Sequence, residues 1–350
     1  MYCTAVWKEN AIMDFERVAV IGTNCISVSI ALGLKAQGEP PTIVGYDAKP
    51  VTSKLARSRG AFDRVERRPG RACRDADLII VAAPLASVRE TLAAIAPHLR
   101  PGCLVTDTAR LKTPVMRWAE ELLPKNVHFV GGHPVPNPTV VGSMSLEGPD
   151  AASSDLLREA LYCLTPSPGS SSAVVDSFAG LITTLGAHPF FIDVTEHDGL
   201  QSGVEGLPDL MAIALVQATV DTPGWQEMRK FADYSFAAAT ATADAAGERH
   251  IAVFLNREHV LRRLNVLLGE LARLRDLLTR DDADGLEEAF AAAAAGRARW
   301  IEERQQGIWV KERAISMDHV PSAGEQFRRM VLGDLLSARL QDETDHPRKE

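Results

Sequence analysis

Two short stretches carry residue types that can do chemistry. In "FVGGHPV" (129–135), His133 ends an apolar run and follows two glycines. A histidine just after a strand, at the carboxyl edge of an open α/β sheet, stands where such sheets bind ligands. The competing reading is a structural histidine in a Gly/Pro turn.

In "RVAVIGTNCISVSIALGL" (17–34), Gly22, Asn24 and Ser27 occupy the places of a Gly-x-Gly-x-x-Gly loop. The first glycine permits the turn, the second lets the backbone approach a pyrophosphate, and the third allows close helix packing. Gly22 keeps the first role, and Ser27 is small enough for the third. Asn24 tolerates left-handed angles, but its side chain comes near the phosphates. Asp47 lies 20 residues past Ser27 (47 − 27). An acid there bonds a ribose 2′-hydroxyl and repels a 2′-phosphate, so the expected cofactor is NAD rather than NADP. The alternative is a turn that binds nothing, with an incidental aspartate at a strand end.

These residues need elements to hold them. Apolar, β-branched runs at 17–22, 41–47, 76–84, 102–107 and 127–135 alternate with helix patterns ending near Gly38 and at 51–59, 87–99 and 113–123. Further strands are expected at 161–166 and 188–193, around a helix at 172–185. Near-continuous apolar strands separated by helices predict a mostly parallel sheet covered on both faces, a Rossmann-type α/β domain over 15–193. Beyond Asp193 the strand signals stop. The segments 206–220, 256–279 and 284–304 repeat apolar residues at helical spacing, so 194–335 is predicted to be all-helical. The first is apolar nearly all round and is expected to be buried. The surplus of apolar helix surface points to a dimer, although a monomeric bundle would have the same pattern. Residues 1–14 read as a loose extension, 308–340 as one or two amphipathic helices, and 336–350 as a polar tail.

The bulk composition excludes several classes. The chain has 350 residues, 46% of them hydrophobic and 24% charged, with a net charge of −8 and pI near 5.7. That charge argues against general nucleic-acid or membrane-surface binding. Five scattered cysteines lack paired spacing, which fits reduced thiols in a cytoplasm better than disulfides or zinc. No apolar run approaches the roughly 20 residues of a membrane helix, and the first residues lack a secretory pattern. Glu196, His197 and Asp198 do not present two ligands on one helix face, so no metal is expected. His197 instead reads as a helix-start residue bonded to its neighbours, with Thr195 and Asp198 resembling a capping box.

Taken together, "ADLIIVAAPLASVRETLAAIAPHLRPGCLVTDTARLK", "FVGGHPV", "CLTPSPG", "LGAHPFFIDVTEHD" and "FLNREHVLRRL" resemble the prephenate/arogenate dehydrogenase family in order and spacing, over about 17–305. The resemblance implies a Rossmann domain joined to a helical dimerisation domain. It also implies a reaction that oxidises prephenate or arogenate with NAD(P), releases carbon dioxide and yields an aromatic ring on the route to tyrosine. It puts the catalytic histidine on His133. The cofactor set it implies is Gly22, Thr23, Asn24, Cys25, Ile26, Ser27, Asp47, Ala83, Pro84 and Asp107.

Departures gather at the chemistry. The family's Asp-x-x-Ser-x-Lys reads here as Asp107 to Lys112, with Arg110 in place of the serine. Arg110 can grip a carboxylate bidentately, so Arg110 and Lys112 join His133 as candidate catalytic residues. The family's Ser-His-Leu-Pro-His reads Glu205, Gly206, Leu207, Pro208, Asp209. Phe236 and Ala232 align with two arginines, the later of which holds a substrate carboxylate, and Arg229 and Lys230 stand nearby as compensators. Arg110, Glu205, Gly206, Asp209 and Phe236 form the expected substrate side, which favours a less anionic or amino-bearing substrate. Three readings stay open: the family reaction, the same fold turned to another small molecule, or a non-catalytic dimeric homologue.

Overall fold

The computed structural model describes residues 15–137 and 148–306, apart from the side chains of 245–248. The expected N-terminal extension at 1–14, the amphipathic segment at 308–340 and the tail at 336–350 lie outside the described residues. Contacts divide the chain into two compact units, Val194–Ile301 and the remainder.

The first unit is built on one sheet of β1 (Arg17–Ile21), β2 (Thr42–Tyr46), β3 (Arg64–Val65), β4 (Leu78–Val81), β5 (Leu104–Asp107), β6 (His128–Val135), β7 (Leu161–Pro166) and β8 (His188–Phe191). Their order is β3-β2-β1-β4-β5-β6-β7-β8, and every pair is parallel except β6 with β7. The first six follow the doubly wound dinucleotide-binding order. Strands β1, β4 and β5 are short and nearly all buried because both faces are covered, and β4 is wholly Val/Ile/Leu. Val20, Leu78, Ile80, Leu104 and Val130 are all buried, and each such side chain contributes about 1.5–3 kcal/mol on leaving water. β3 was not foreseen, because two residues cannot set a period.

The covering helices are α1 (Cys25–Lys35), α2 (Pro50–Ser58), α3 (Pro69–Ala72), α4 (Leu85–Ile95), α5 (Thr113–Leu122) and α6 (Ser172–Thr184). α5 presents Val115, Trp118 and Ala119 to the interior. The arginine side chain of Arg59, just past α2, donates to the carbonyls of Pro149, Asp150 and Ala152, pinning the chain where it returns toward β7.

The second unit is helical: α7 (Val194–Gln201), a π-helical turn (Ser202–Gly206), α8 (Leu207–Thr219), α9 (Trp225–Met228), α10 (Tyr234–Thr240), α11 (Ala246–Leu255), α12 (Arg257–Thr279) and α13 (Ala283–Gln306). α8 corrects an expectation. Its sequence is apolar nearly all round, yet only Asp209 and Ala212 are buried on it. Among the described residues there are not enough neighbours to cover its apolar surface. α12 likewise leaves Leu261, Leu268, Leu271 and Leu278 exposed, a spacing of seven, three and seven that lies along one helix face.

Candidate active site

The turn after β1 begins with Gly22 at φ +98°, where a Cβ would stand 2.5 Å from the Ala82 carbonyl oxygen. Only glycine fits there. Its N–H donates to the Tyr46 carbonyl at 2.8 Å, closing the turn against β2. Thr23 donates to Asp47 Oδ2 twice, from its N–H at 2.7 Å and from its hydroxyl at 2.8 Å. Asp47 Oδ1 accepts from the Lys49 N–H at 2.7 Å. The acid predicted from spacing therefore also fixes the loop, and it retains lone pairs for a further donor.

Asn24 does not use the left-handed region. Its φ is −84° and ψ 175°, an extended helix N-cap, with Oδ1 accepting the Ser27 N–H at 3.0 Å. Its Nδ2 donates to the Ala82 carbonyl at 3.1 Å, tying the loop to the end of β4. Ser27 is fully buried and donates its hydroxyl to the Gly22 carbonyl at 2.8 Å. Asparagine thus replaces glycine by capping rather than by backbone freedom. Capping satisfies Ser27, and the Val28 N–H reaches the Asn24 carbonyl. The N–H groups of Cys25 and Ile26 have no acceptor inside the helix. With the helix dipole, such free N–H groups suit an anion. Ala83 and Pro84 follow β4 beside this turn, Ala83 half-buried and Pro84 exposed.

At the next strands, Asp107 ends β5 and His133 lies inside β6, two residues before its end, rather than just after the strand as expected. The reason is that β6 outruns β5. Their ladder stops at Thr106–Val130, while β6 continues against β7, with His133 opposite Cys163. His133 is 5% exposed and Arg110 is exposed on the loop after β5. Lys112 and Asp107 are both completely buried and paired, Nζ to Oδ2 at 2.5 Å. Burial pushes the Cys163 thiol up to about 11, against the pull of the nearby Lys112 charge. Tyr162, beside Cys163 in β7, packs edge-on against Phe178 at 6.0 Å, and burial raises its hydroxyl.

In the helical unit, the capping-box expectation fails. Thr195 is already inside α7, and the Asp198 carboxylate is taken by the His197 ring, Nδ1 to Oδ1 at 2.8 Å. Asn256 donates to the Asp198 carbonyl at 2.8 Å. Glu205 and Gly206 fall in the π-helical turn, a feature frequent at functional sites. Asp209 opens α8 nearly buried, its carboxylate bonded by Arg249 at 2.5 Å. Arg249 went unnoticed in the sequence, because nothing links positions 40 apart except the fold. Phe236 packs on Trp225 with ring centroids 5.9 Å apart. Lys230 pairs with Glu227 on the surface, and Arg229 is exposed.

Comparison with known proteins agrees with this architecture. The family model described as the prephenate dehydrogenase nucleotide-binding domain matches residues 30–191, and the prephenate dehydrogenase dimerization domain matches 193–292. A prephenate dehydrogenase of Lactococcus lactis is 30% identical, covering 79% of this chain and 75% of its own length. One from Bacillus subtilis is 27% identical, covering 79% and 74%. The crystal structure of A. aeolicus prephenate dehydrogenase with hydroxyphenyl propionate and NAD+ superposes with a TM-score of 0.72, at 22% identity, over 82% of this chain and 99% of that one.

Proposed function

The chain belongs to the prephenate dehydrogenase family, and on that premise we propose that it is an NAD-dependent dehydrogenase converting a prephenate-type cyclohexadienol to a phenol with loss of carbon dioxide. The observation that carries this reading is His133, a nearly buried histidine on a strand that runs past its parallel neighbour. The Cys25 and Ile26 amides take the pyrophosphate, and Gly22, Thr23, Asn24 and Ser27 shape the loop around it. Asp47 accepts a ribose hydroxyl and its charge repels a 2′-phosphate, which selects NAD over NADP. Bound NAD supplies the nicotinamide carbon that accepts hydride.

His133 takes the proton of the ring hydroxyl as hydride leaves the same carbon, so that carbon becomes a carbonyl. The ring carbon–carboxylate bond then breaks, its electron pair enters the ring, and carbon dioxide departs. The product is aromatic, and His133 returns its proton to the phenolate oxygen. A base placed to take this proton contributes about 10²–10⁴-fold.

Substrate recognition differs from the family pattern. Phe236 offers no charge to a carboxylate, and Arg110 is the cation proposed to take that role. Glu205 in the π-helical turn suits a substrate amino group, so an arogenate-type substrate is favoured over prephenate. The exposed apolar helices and the dimerization-domain match support a homodimer through the helical unit. Among the described residues no helix is long and apolar enough to cross a membrane.

The test is NADH formation on mixing the protein with NAD and either prephenate or arogenate, with carbon dioxide released in equal amount. Turnover lost in His133→Ala supports the reading. No NADH from either compound overturns it and leaves the same fold serving another substrate or none.

A further inference from the structure

We propose that Asp107 and Lys112 are positioning residues: their buried pair continues the sheet where β5 ends and fixes the strand that presents His133. The proposal rests on the role given to His133 above.

The main-chain ladder between β5 and β6 ends at Thr106–Val130. Past that point β6 has a strand partner on one side only, β7. The N–H and C=O of Gly132 that face the vacated side would be orphaned in the interior. Such a buried unpaired group costs about 1–3 kcal/mol. Side chains take the place of the missing strand. Asp107 Oδ1 accepts the Gly132 N–H at 3.1 Å, and Lys112 Nζ donates to the Gly132 carbonyl at 2.6 Å. Asp107 Oδ2 holds Lys112 Nζ and accepts the Ala109 N–H at 2.8 Å, closing the network. Both polar groups of the residue immediately before His133 are thus held by one ion pair.

The two glycines pack tightly at the same place. A Cβ on Gly132 would stand 2.5 Å from the Asp107 carbonyl oxygen and 2.9 Å from Thr106 Oγ1. A Cβ on Gly131 would stand 2.3 Å from Thr165 Oγ1, 2.9 Å from Met116 Sδ and 3.2 Å from Lys112 Cδ. Neither glycine has a positive φ, so "GG" is required by close packing against the end of β5 and against Thr165 and Met116. Lys112 is completely enclosed, so its ammonium acts on the reaction through Gly132 and His133 rather than by touching substrate. An apolar replacement could be equally stable. What the pair supplies is a fixed geometry, and a misplacement near 1 Å can cost on the order of 10²-fold in rate.

The test uses the full-length double variant Asp107→Asn/Lys112→Met, which removes both charges and leaves a near-isosteric filling. It is expected to fold, to keep KM for NAD within about twofold, and to lose kcat about 100-fold. The ¹H–¹³C signals of the His133 imidazole, identified by their disappearance in His133→Ala, are expected to move. Added to His133→Ala, the double substitution costs no further activity, because both changes act through one group. Unchanged kcat, unmoved imidazole signals, or losses that multiply in the triple variant would overturn the proposal. If the double variant does not fold, Lys112→Arg keeps the charge and displaces the donor. A shifted imidazole signal with lowered kcat and unchanged KM supports the proposal, and wild-type values overturn it. If the wild-type protein oxidises neither compound, the dehydrogenase reading fails by itself, and the imidazole signals alone decide the positioning role.

Discussion

The sheet unit and the helical unit solve burial differently. Strands β1, β4 and β5 are buried almost throughout, and helices α1 to α6 cover them. In the helical unit the buried apolar side chains are few: Ala212, Val260 and Leu277 among the described residues. Among the described residues, the exposed large apolar side chains apart from Val51 all lie between Leu200 and Trp300. A doubly wound sheet closes its core within one chain. Long helices joined by short turns leave apolar faces uncovered, and such faces call for a second surface. The sheet unit therefore holds its polar network inside a closed core, while the helical unit, which matches the dimerization-domain model, leaves apolar faces open.

Several experiments break or sharpen this contrast. The largest effect is expected in the sheet unit: His133→Ala lowers kcat by about 10³-fold with KM for NAD little changed, read from NADH absorbance. Gly132→Ala comes next. Its Cβ meets main-chain carbonyl oxygen, so thermal unfolding should show a loss of about 2–3 kcal/mol, as overpacked cores do. In the helical unit, Leu268→Glu with Leu271→Glu should convert dimers to monomers in sedimentation velocity while a monomer keeps its NAD site. A dimer that survives locates the interface away from α12. Asp209→Ala leaves Arg249 half-buried without its acid, and a lowered melting temperature of a few degrees is expected, about 1–3 kcal/mol. The smallest effect is chemical. Burial pushes the Cys73 thiol up to about 12 and Cys103 and Cys163 up to about 11. The thiolate fraction at pH 8 is about one in a thousand or less. These thiols should react with a maleimide only after denaturant, and rapid native labelling would show that the sheet core opens.

The same contrast governs what the sequence revealed. Strands β1, β2, β4 and β5 were legible because parallel strands covered on both faces are continuous apolar runs, and β6 to β8 stood out as further apolar segments. The order of motifs carried the family. Asp47 was legible from spacing, but its bonds to Thr23 were not, since the loop's closure depends on β2 lying beside β1. The cap that Asn24 forms was not legible, because glycine's usual role there is conformational, whereas here a side chain caps the helix. Asp107 and Lys112 fitted a motif, but the motif did not say that both are enclosed or that they complete a strand edge. In the helical unit, periodicity located α8, α12 and α13 and mistook the apolar surface of α8 for core. Arg249 and Asp209 meet only through tertiary packing, so no local pattern announces them.

The dehydrogenase reading depends on the Gly22–Ser27 loop accepting a dinucleotide. The most direct measurement is the melting temperature of the full chain titrated with NAD and, in parallel, with NADP. Stabilisation that rises with NAD toward about 2.7 kcal/mol at one hundred times the dissociation constant, with NADP far weaker, is the expected result. No shift with either nucleotide at millimolar concentration would contradict the account and would mark Asn24 as the cap of a loop that no longer binds.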